Sequence, residues 1–292
     1  MLAQYSYYVL VCPDCHSKLT FGDVIECTGC KRQFSTDEGI PVLLPKSYVN
    51  TSQDKQHEIE FFSKEIASDS NKAYDRHVYA ALKESEYNEL FRLVELEDGH
   101  GKLVLDYGCA TGLSSILLGN LGYQVIGMDI VSTGLKQTSS ILKQGETAPF
   151  GVVGDGEHTP FADNVFDVIF VGGVLHHFPN YELGIAECAR ILARGGILVI
   201  LEPNRWDLLS TIKFRAGRHA GIQSKNEDTI DPRAFMKVLR KYFMFTELLW
   251  PEIQHAKYLP KNFWRDMYYR LSPTVMRNQF FVAIGVANKK FT

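Results

Sequence analysis

The sequence predicts an α/β protein, a doubly wound and largely parallel sheet that follows a small cysteine-bearing ribbon. Three observations predict it. The stretch Leu103–Gly112, LVLDYGCATG, passes from an apolar strand through an acidic residue to three small positions, Gly108, Ala110 and Gly112, and the apolar segment after it can continue as a helix. Further short apolar segments follow, and each ends in a polar or glycine-rich stop. Near the amino terminus two Cys-x-x-Cys pairs, Cys12 with Cys15 and Cys27 with Cys30, are separated by eleven residues.

Composition narrows the classes. At 292 residues the chain can hold one large domain and one small one. No apolar run reaches the roughly 18 residues of a spanning helix, and the amino terminus has neither a basic segment nor an apolar signal core, so a cytoplasmic location is expected. The net charge of −3 hides an asymmetry: residues 205–292 carry 16 Lys and Arg against 7 Asp and Glu. That end, about +9, suits an anionic partner such as a phosphorylated small molecule, an anionic lipid surface or RNA, or is a set of solvated helix faces.

In chain order, the four cysteines match a tetrahedral structural zinc site held by two hairpins. The alternatives are a redox dithiol, a ribbon without metal, or disulfides, which a cytosolic setting disfavours. All four positions are thiolates, so no coordination place is open for catalysis, and His16 reads as a surface residue. Lys46 to Asp54 is polar and reads as a linker, and His57 to Ile66 and Asp75 to Leu96 read as amphipathic helices. Leu103–Gly112 then opens the core, where small residues let the backbone approach a ligand. Gln124 to Met128 forms the second strand and ends in Asp129, where a doubly wound sheet places a carboxylate against a ribose diol. Phe150 to Val153 ends in Gly154-Asp155-Gly156, and Phe166 to Val171 is the fourth strand. Because ligands lie beyond the carboxyl ends of such strands, Asp106, Asp129 and Asp155 are expected to face one crevice.

The fourth strand opens into Gly172-Gly173-Val174-Leu175-His176-His177, and one of these histidines is a candidate general base unless both pack or cap the next helix. Asp163 reads as a turn residue. Leu183 to Leu192 reads as a helix ended by Gly195-Gly196, and Ile197 to Leu201 as the fifth strand. Trp206 to Asn278 is rich in aromatic and basic residues and reads as a lid, with helices at Leu208 to Phe214 and at Pro232 to Tyr242, the latter capped by Asp231. Gln279 to Ala287 is the closing strand.

The segments VLDYGCATG, VIGMDIV, VGDGEHTPFADNVFDVIFVGGVLHHFPN and ECARILARGGILVILEPN, between Leu103 and Asn204, resemble the class I S-adenosylmethionine (SAM) dependent methyltransferases, close in pattern to the branch that includes the quinone-biosynthesis enzymes. Ala110 departs from the usual glycine. The resemblance implies a Rossmann-like seven-stranded sheet and SAM as cofactor. It gives Asp106 the orientation of the loop and the methionine amino group, Asp129 the ribose hydroxyls, and Asp155 the adenine amino group. Gly108, Ala110 and Gly112 close on the methionine portion, and Ile130, Gly156 and Gly172 complete the cofactor set. Tyr74 and Arg76 are further candidates on the same analogy, and His176 and His177 are the catalytic candidates.

The first segment, ending in GIPVLLP, resembles the small zinc ribbons that activate certain methyltransferases. The implied organisation is a ribbon over 1–47, a linker and cofactor-covering helices over 48–100, and a methyltransferase domain over 101–292 with its lid at 206–278. Three functions are compatible. The first is methyl transfer to a small molecule, such as a sugar, quinone, lipid or secondary metabolite, at oxygen, nitrogen or carbon. The second is an RNA methyltransferase that reads RNA with the ribbon and the basic end, although no Asn-Pro-Pro-Tyr type motif is present. The third is a non-catalytic binding or activator protein on the same fold.

Overall fold

The computed structural model describes residues 7–50, 56–57, 59–64, 84, 87–136, 150–221, 224, 227–250 and 280–287. The candidates Tyr74 and Arg76, and the part of the lid over 251–278, lie outside the described residues.

The ribbon is a three-stranded antiparallel sheet of β1 (Leu19–Thr20), β2 (Ile25–Cys27) and β3 (Gln33–Phe34), followed by the hairpin β4 (Thr36–Asp37) and β5 (Ile40–Leu43). Both cysteine pairs sit in matching turns. His16 N–H donates to the Cys12 carbonyl at 2.8 Å and Lys31 N–H to the Cys27 carbonyl at 3.1 Å, and both His16 and Lys31 take positive φ, 54° and 63°.

The large sheet has nine strands in the order β11-β12-β10-β9-β6-β7-β8-β5-β4. Seven belong to the expected sheet: β6 (Leu103–Tyr107), β7 (Gln124–Asp129), β8 (Phe150–Gly154), β9 (Phe166–Gly172), β10 (Leu192–Pro203), β11 (Phe245–Leu249) and β12 (Phe280–Val286). The other two come from the ribbon. Strand β5 pairs parallel with β8, Val42 opposite Val153 and Leu43 opposite Gly154, so the ribbon extends the sheet and does not stand apart from it. A second seam joins them where Val11 N–H donates to the Pro160 carbonyl and Ala162 N–H to that of Val9, each at 2.9 Å. Burial follows the same continuity, since Cys12, Ile25, Cys27, Phe34 and Leu43 share one apolar cluster with Leu105, Met128 and Phe161.

Among the described residues the helices with both ends described are α1 (Leu113–Asn120), α2 (Tyr181–Ile191), α3 (Leu208–His219) and α4 (Pro232–Tyr242). Asp231 caps α4 as the sequence suggests, its Oδ1 accepting from the amides of Arg233 and Ala234 at 2.8 and 3.2 Å. Two sequence readings change. Helix α2 ends at Ile191, before Gly195-Gly196, because the buried Leu192 already pairs with Phe166 and the glycines form an irregularity inside β10. Residues 232–249, read as lid, belong to the core: Phe235, Met236 and Leu239 of α4 are buried, and β11 pairs antiparallel with β12. Among the described residues no helix is long and apolar enough to cross a membrane.

Candidate functional site

The carboxyl ends of β6, β7, β8 and β9 converge on one cleft. Gly108, Ala110, Asp129, Ile130, Asp155, Gly156, Gly172 and His177 all line it, so most of the residues singled out in the sequence lie together. Ile59 and Phe62, in the helical residues 59–64, line it too.

The loop after β6 is built on left-handed backbone, with φ of 72° at Gly108, 45° at Ala110 and 78° at Gly112. Alanine pays a steric cost there that glycine escapes. The position is fastened from across the cleft, because Ala110 N–H donates to Asp129 Oδ2 at 2.8 Å. Asp129 Oδ1 accepts from Val131 N–H at 2.9 Å. Burial raises the Asp129 carboxyl above its ordinary value, and the amides of Val131, Ala110 and Ile130 oppose that rise. Each carboxylate oxygen keeps a lone pair for a hydroxyl in the cleft. Gly108 admits no larger residue, since a Cβ there would stand 2.4 Å from Val174 Cγ2.

Asp106 is placed differently. It is buried beneath the loop, does not line the cleft, and accepts from the hydroxyls of Ser114 at 2.7 Å and Ser115 at 2.5 Å in the first turn of α1. Burial pushes its pKa up to about 6; the serine hydroxyls pull the other way and the Asp129 charge adds to the rise. Gly112 is likewise buried and shapes the turn into α1.

The two histidines have separate settings. His177 lines the cleft, lies edge-on to Phe62 with ring centroids 4.9 Å apart, and has Nδ1 3.7 Å from Glu227 Oε1. His176 does not line the cleft; its Nδ1 is 2.8 Å from Glu202 Oε2, and its ring lies 4.0 Å from that of His177. Glu202 is fully buried, and its Oε1 accepts from the amides of Val174 and Leu175 at 3.0 and 2.7 Å. One carboxylate therefore holds both the loop backbone and an imidazole. Sequence reasoning missed Glu202 and Glu227; only the position of Glu202 at the end of the fifth strand could have pointed to it.

The cleft suits a nucleoside-bearing cofactor. Asp129 and Asp155 offer acceptors for hydroxyl or amino groups, and Met128, Ile130, Phe62 and Phe178 offer apolar walls for a flat ring. Tyr107 also lines the cleft, but its Oη is buried against Gly156 and Gly184 and has no hydrogen-bond partner among the described residues.

The four ribbon cysteines have Sγ atoms all within 4.8 Å of one another, with Cys12 and Cys30 3.7 Å apart and Cys15 and Cys27 3.4 Å apart. A disulfide needs about 2 Å, whereas tetrahedral thiolates about 2.3 Å from a zinc ion stand roughly 3.8 Å apart. The Ser17 hydroxyl and amide hold the Cys15 thiol down to about 6, and burial lifts that of Cys12 to about 12.

Comparison with known proteins gives a consistent picture. Residues 105–200 match the family described as Methyltransferase domain. A demethylmenaquinone methyltransferase of Corynebacterium kroppenstedtii is 36% identical over 109 residues, covering 37% of this chain and 44% of that protein. An uncharacterized chloroplastic methyltransferase of Arabidopsis thaliana is 26% identical over 216 residues, 65% of this chain and 60% of that one. The chain thus spans about half the length of the curated relatives it matches. In fold, it is similar to a chain from the complex of the Haloferax volcanii Trm112 methyltransferase activator with a methyltransferase, at TM-score 0.59 and 17% identity over 82% of this chain and 100% of that one.

Proposed function

We propose that the chain is a SAM-dependent methyltransferase acting on a small-molecule acceptor of quinone or lipid-like character, and that its ribbon holds one structural zinc ion. The observation that carries this reading is the cleft itself, where Gly108, Ala110, Asp129, Asp155 and an imidazole, His177, line one pocket. The matched methyltransferase domain and the likeness to a demethylmenaquinone methyltransferase support the reaction class and the acceptor class.

SAM, when bound, supplies an electrophilic methyl group on a sulfonium. Charge disperses in such a displacement, so the protein contributes alignment and exclusion of water more than charge stabilisation. Asp129 accepts from the ribose hydroxyls while its other lone pairs fix the loop through Ala110 and Val131. Asp155 meets the base, and Phe62 and Ile59 shut out solvent. His177 removes the proton from an acceptor hydroxyl or activated carbon, and Glu227 stabilises the imidazolium that results. His176 and Glu202 position this base by holding the backbone that carries it. Zinc on Cys12, Cys15, Cys27 and Cys30 has no open coordination place and serves the fold.

The test is transfer of labelled methyl from SAM in a lysate of the source cell, separated into RNA, protein, lipid and small molecules. Label in the lipid or small-molecule fraction, lost with His177→Ala, supports the reading. Label in RNA instead assigns the activity to nucleic acid, and no label in any fraction with the purified protein contradicts methyl transfer.

A further inference from the structure

Helix α3 is amphipathic the wrong way round. Ser210 and Thr211 are each 7% exposed, whereas Leu208 and Ile212, one turn apart on the outer face, are 55% and 56% exposed. The inward hydroxyls are satisfied: Ser210 Oγ donates to Asp207 Oδ2 at 2.5 Å, and Thr211 Oγ1 donates to the Arg205 carbonyl at 3.0 Å and lies 3.3 Å from Thr229 Oγ1. The fold therefore buries hydroxyls on the inner side of α3 and leaves Leu208 and Ile212 outside. Beside them lie the exposed cations Lys213 and Arg215 and the exposed His219, and the helix contains no acidic residue. Asp228 pairs with Arg205 at 3.3 Å and lies 3.7 Å from Arg218, but among the described residues Lys213 and Arg215 form no ion pair.

We infer that the outer face of α3 docks on an anionic lipid surface. Leucine and isoleucine at helical spacing beside lysine and arginine are what an interfacial helix needs: the aliphatic groups enter the boundary below the headgroups and the cations meet the lipid phosphates. The position of α3 gives the docking a purpose. Its Phe214 ring stands edge-on to His176 at 6.0 Å, so the helix that touches the bilayer also abuts the histidine loop of the cleft. An acceptor dissolved in the membrane reaches that loop without crossing bulk water. Only this last step rests on the methyl-transfer reading.

The test is co-sedimentation of the full chain with vesicles of phosphatidylcholine alone, and of phosphatidylcholine and phosphatidylglycerol at about three to one. The parent is expected to partition to the anionic vesicles at least about tenfold better than to the neutral ones, and to weaken with salt. Leu208→Gln with Ile212→Gln, and separately Lys213→Glu with Arg215→Glu, should each cut that partition about tenfold or more while leaving the unfolding temperature and SAM titration as in the parent. No preference for anionic vesicles, or an undiminished partition in either variant, overturns the inference. A fall in unfolding temperature for the Gln pair also overturns it, because the face is then covered within the chain. So does an RNA oligonucleotide bound through Lys213 and Arg215 with no contribution from Leu208 or Ile212. A parent that binds vesicles as expected but fails to bind SAM leaves the docking intact and refutes the methyl-transfer reading instead.

Discussion

Asp106 and Glu202 are carboxylates that act on the site from beneath it. Because the folded pKa of Asp106, about 6, lies above its ordinary value of 3.8, the stability it lends is present in full below about pH 4 and is lost as pH rises through 6. The shift is worth roughly 3 kcal/mol. Asp106→Asn keeps an acceptor for Ser114 or Ser115 and removes the titration, so its stability relative to the parent should grow by about that amount between pH 4 and 7, as read by urea unfolding at each pH. A difference independent of pH would show that burial does not raise the Asp106 pKa. Glu202→Ala strips partners from two amides and an imidazole, and should destabilise by about 3 kcal/mol or more. Glu202→Gln keeps an acceptor for those amides and should recover most of that loss, which the same unfolding measurement checks. At this scale the sequence was readable for Asp129, where strand end and carboxylate coincide. It was not for Asp106, because the motif marks the residue without saying which way its side chain faces. Nor was it for Glu227, whose approach to His177 is a long-range packing result.

Among the elements, the ribbon and the sheet edge are one unit. Cysteine spacing made the ribbon legible, but nothing in a short run such as Ile40–Leu43 states which partner strand it joins. Strand β8 carries Gly154, Asp155 and Gly156 at its end, and the ribbon holds the strand through β5 and the segment after it through the seam of Val9 and Val11 with Pro160 and Ala162. Lys136, just beyond the Asp129 turn, adds an ion pair to Asp37 of β4 at 2.7 Å. Cys27→Ser should therefore abolish an expected one zinc per chain and destabilise the ribbon by more than about 3 kcal/mol. It should also weaken SAM binding, although residue 27 is no part of the cleft. Metal analysis, proteolysis and calorimetry on one preparation check this; full SAM affinity in a metal-free protein would show the two parts to be independent. Strand β11 was illegible for a plainer reason. Its FTELL alternates weakly and is partly exposed, with Phe245 65% exposed, so its aromatic and basic surroundings read as lid.

For the whole molecule, the order of strands concentrates function at one end of the sheet. The parallel run from β10 to β5 puts the loop residues, Asp129, Asp155 and the histidines at a common edge, while ribbon and α3 flank it from two directions. That architecture was readable from Leu103 to Asn204 because each strand ends in a glycine or acid that marks the ligand side. Beyond Asn204 the pattern is composition more than periodicity, and only pairing with β12 shows 245–249 to be sheet. The central claim, that the cleft is a SAM site organised by Asp129, is tested most directly by calorimetric titration of SAM into the parent and into Asp129→Ala. One site per chain in the parent, weakened roughly tenfold to a hundredfold or more by the loss of charge-assisted hydrogen bonds, is the predicted result. An absent titration in the zinc-loaded parent, or an affinity unchanged by the substitution, would contradict it.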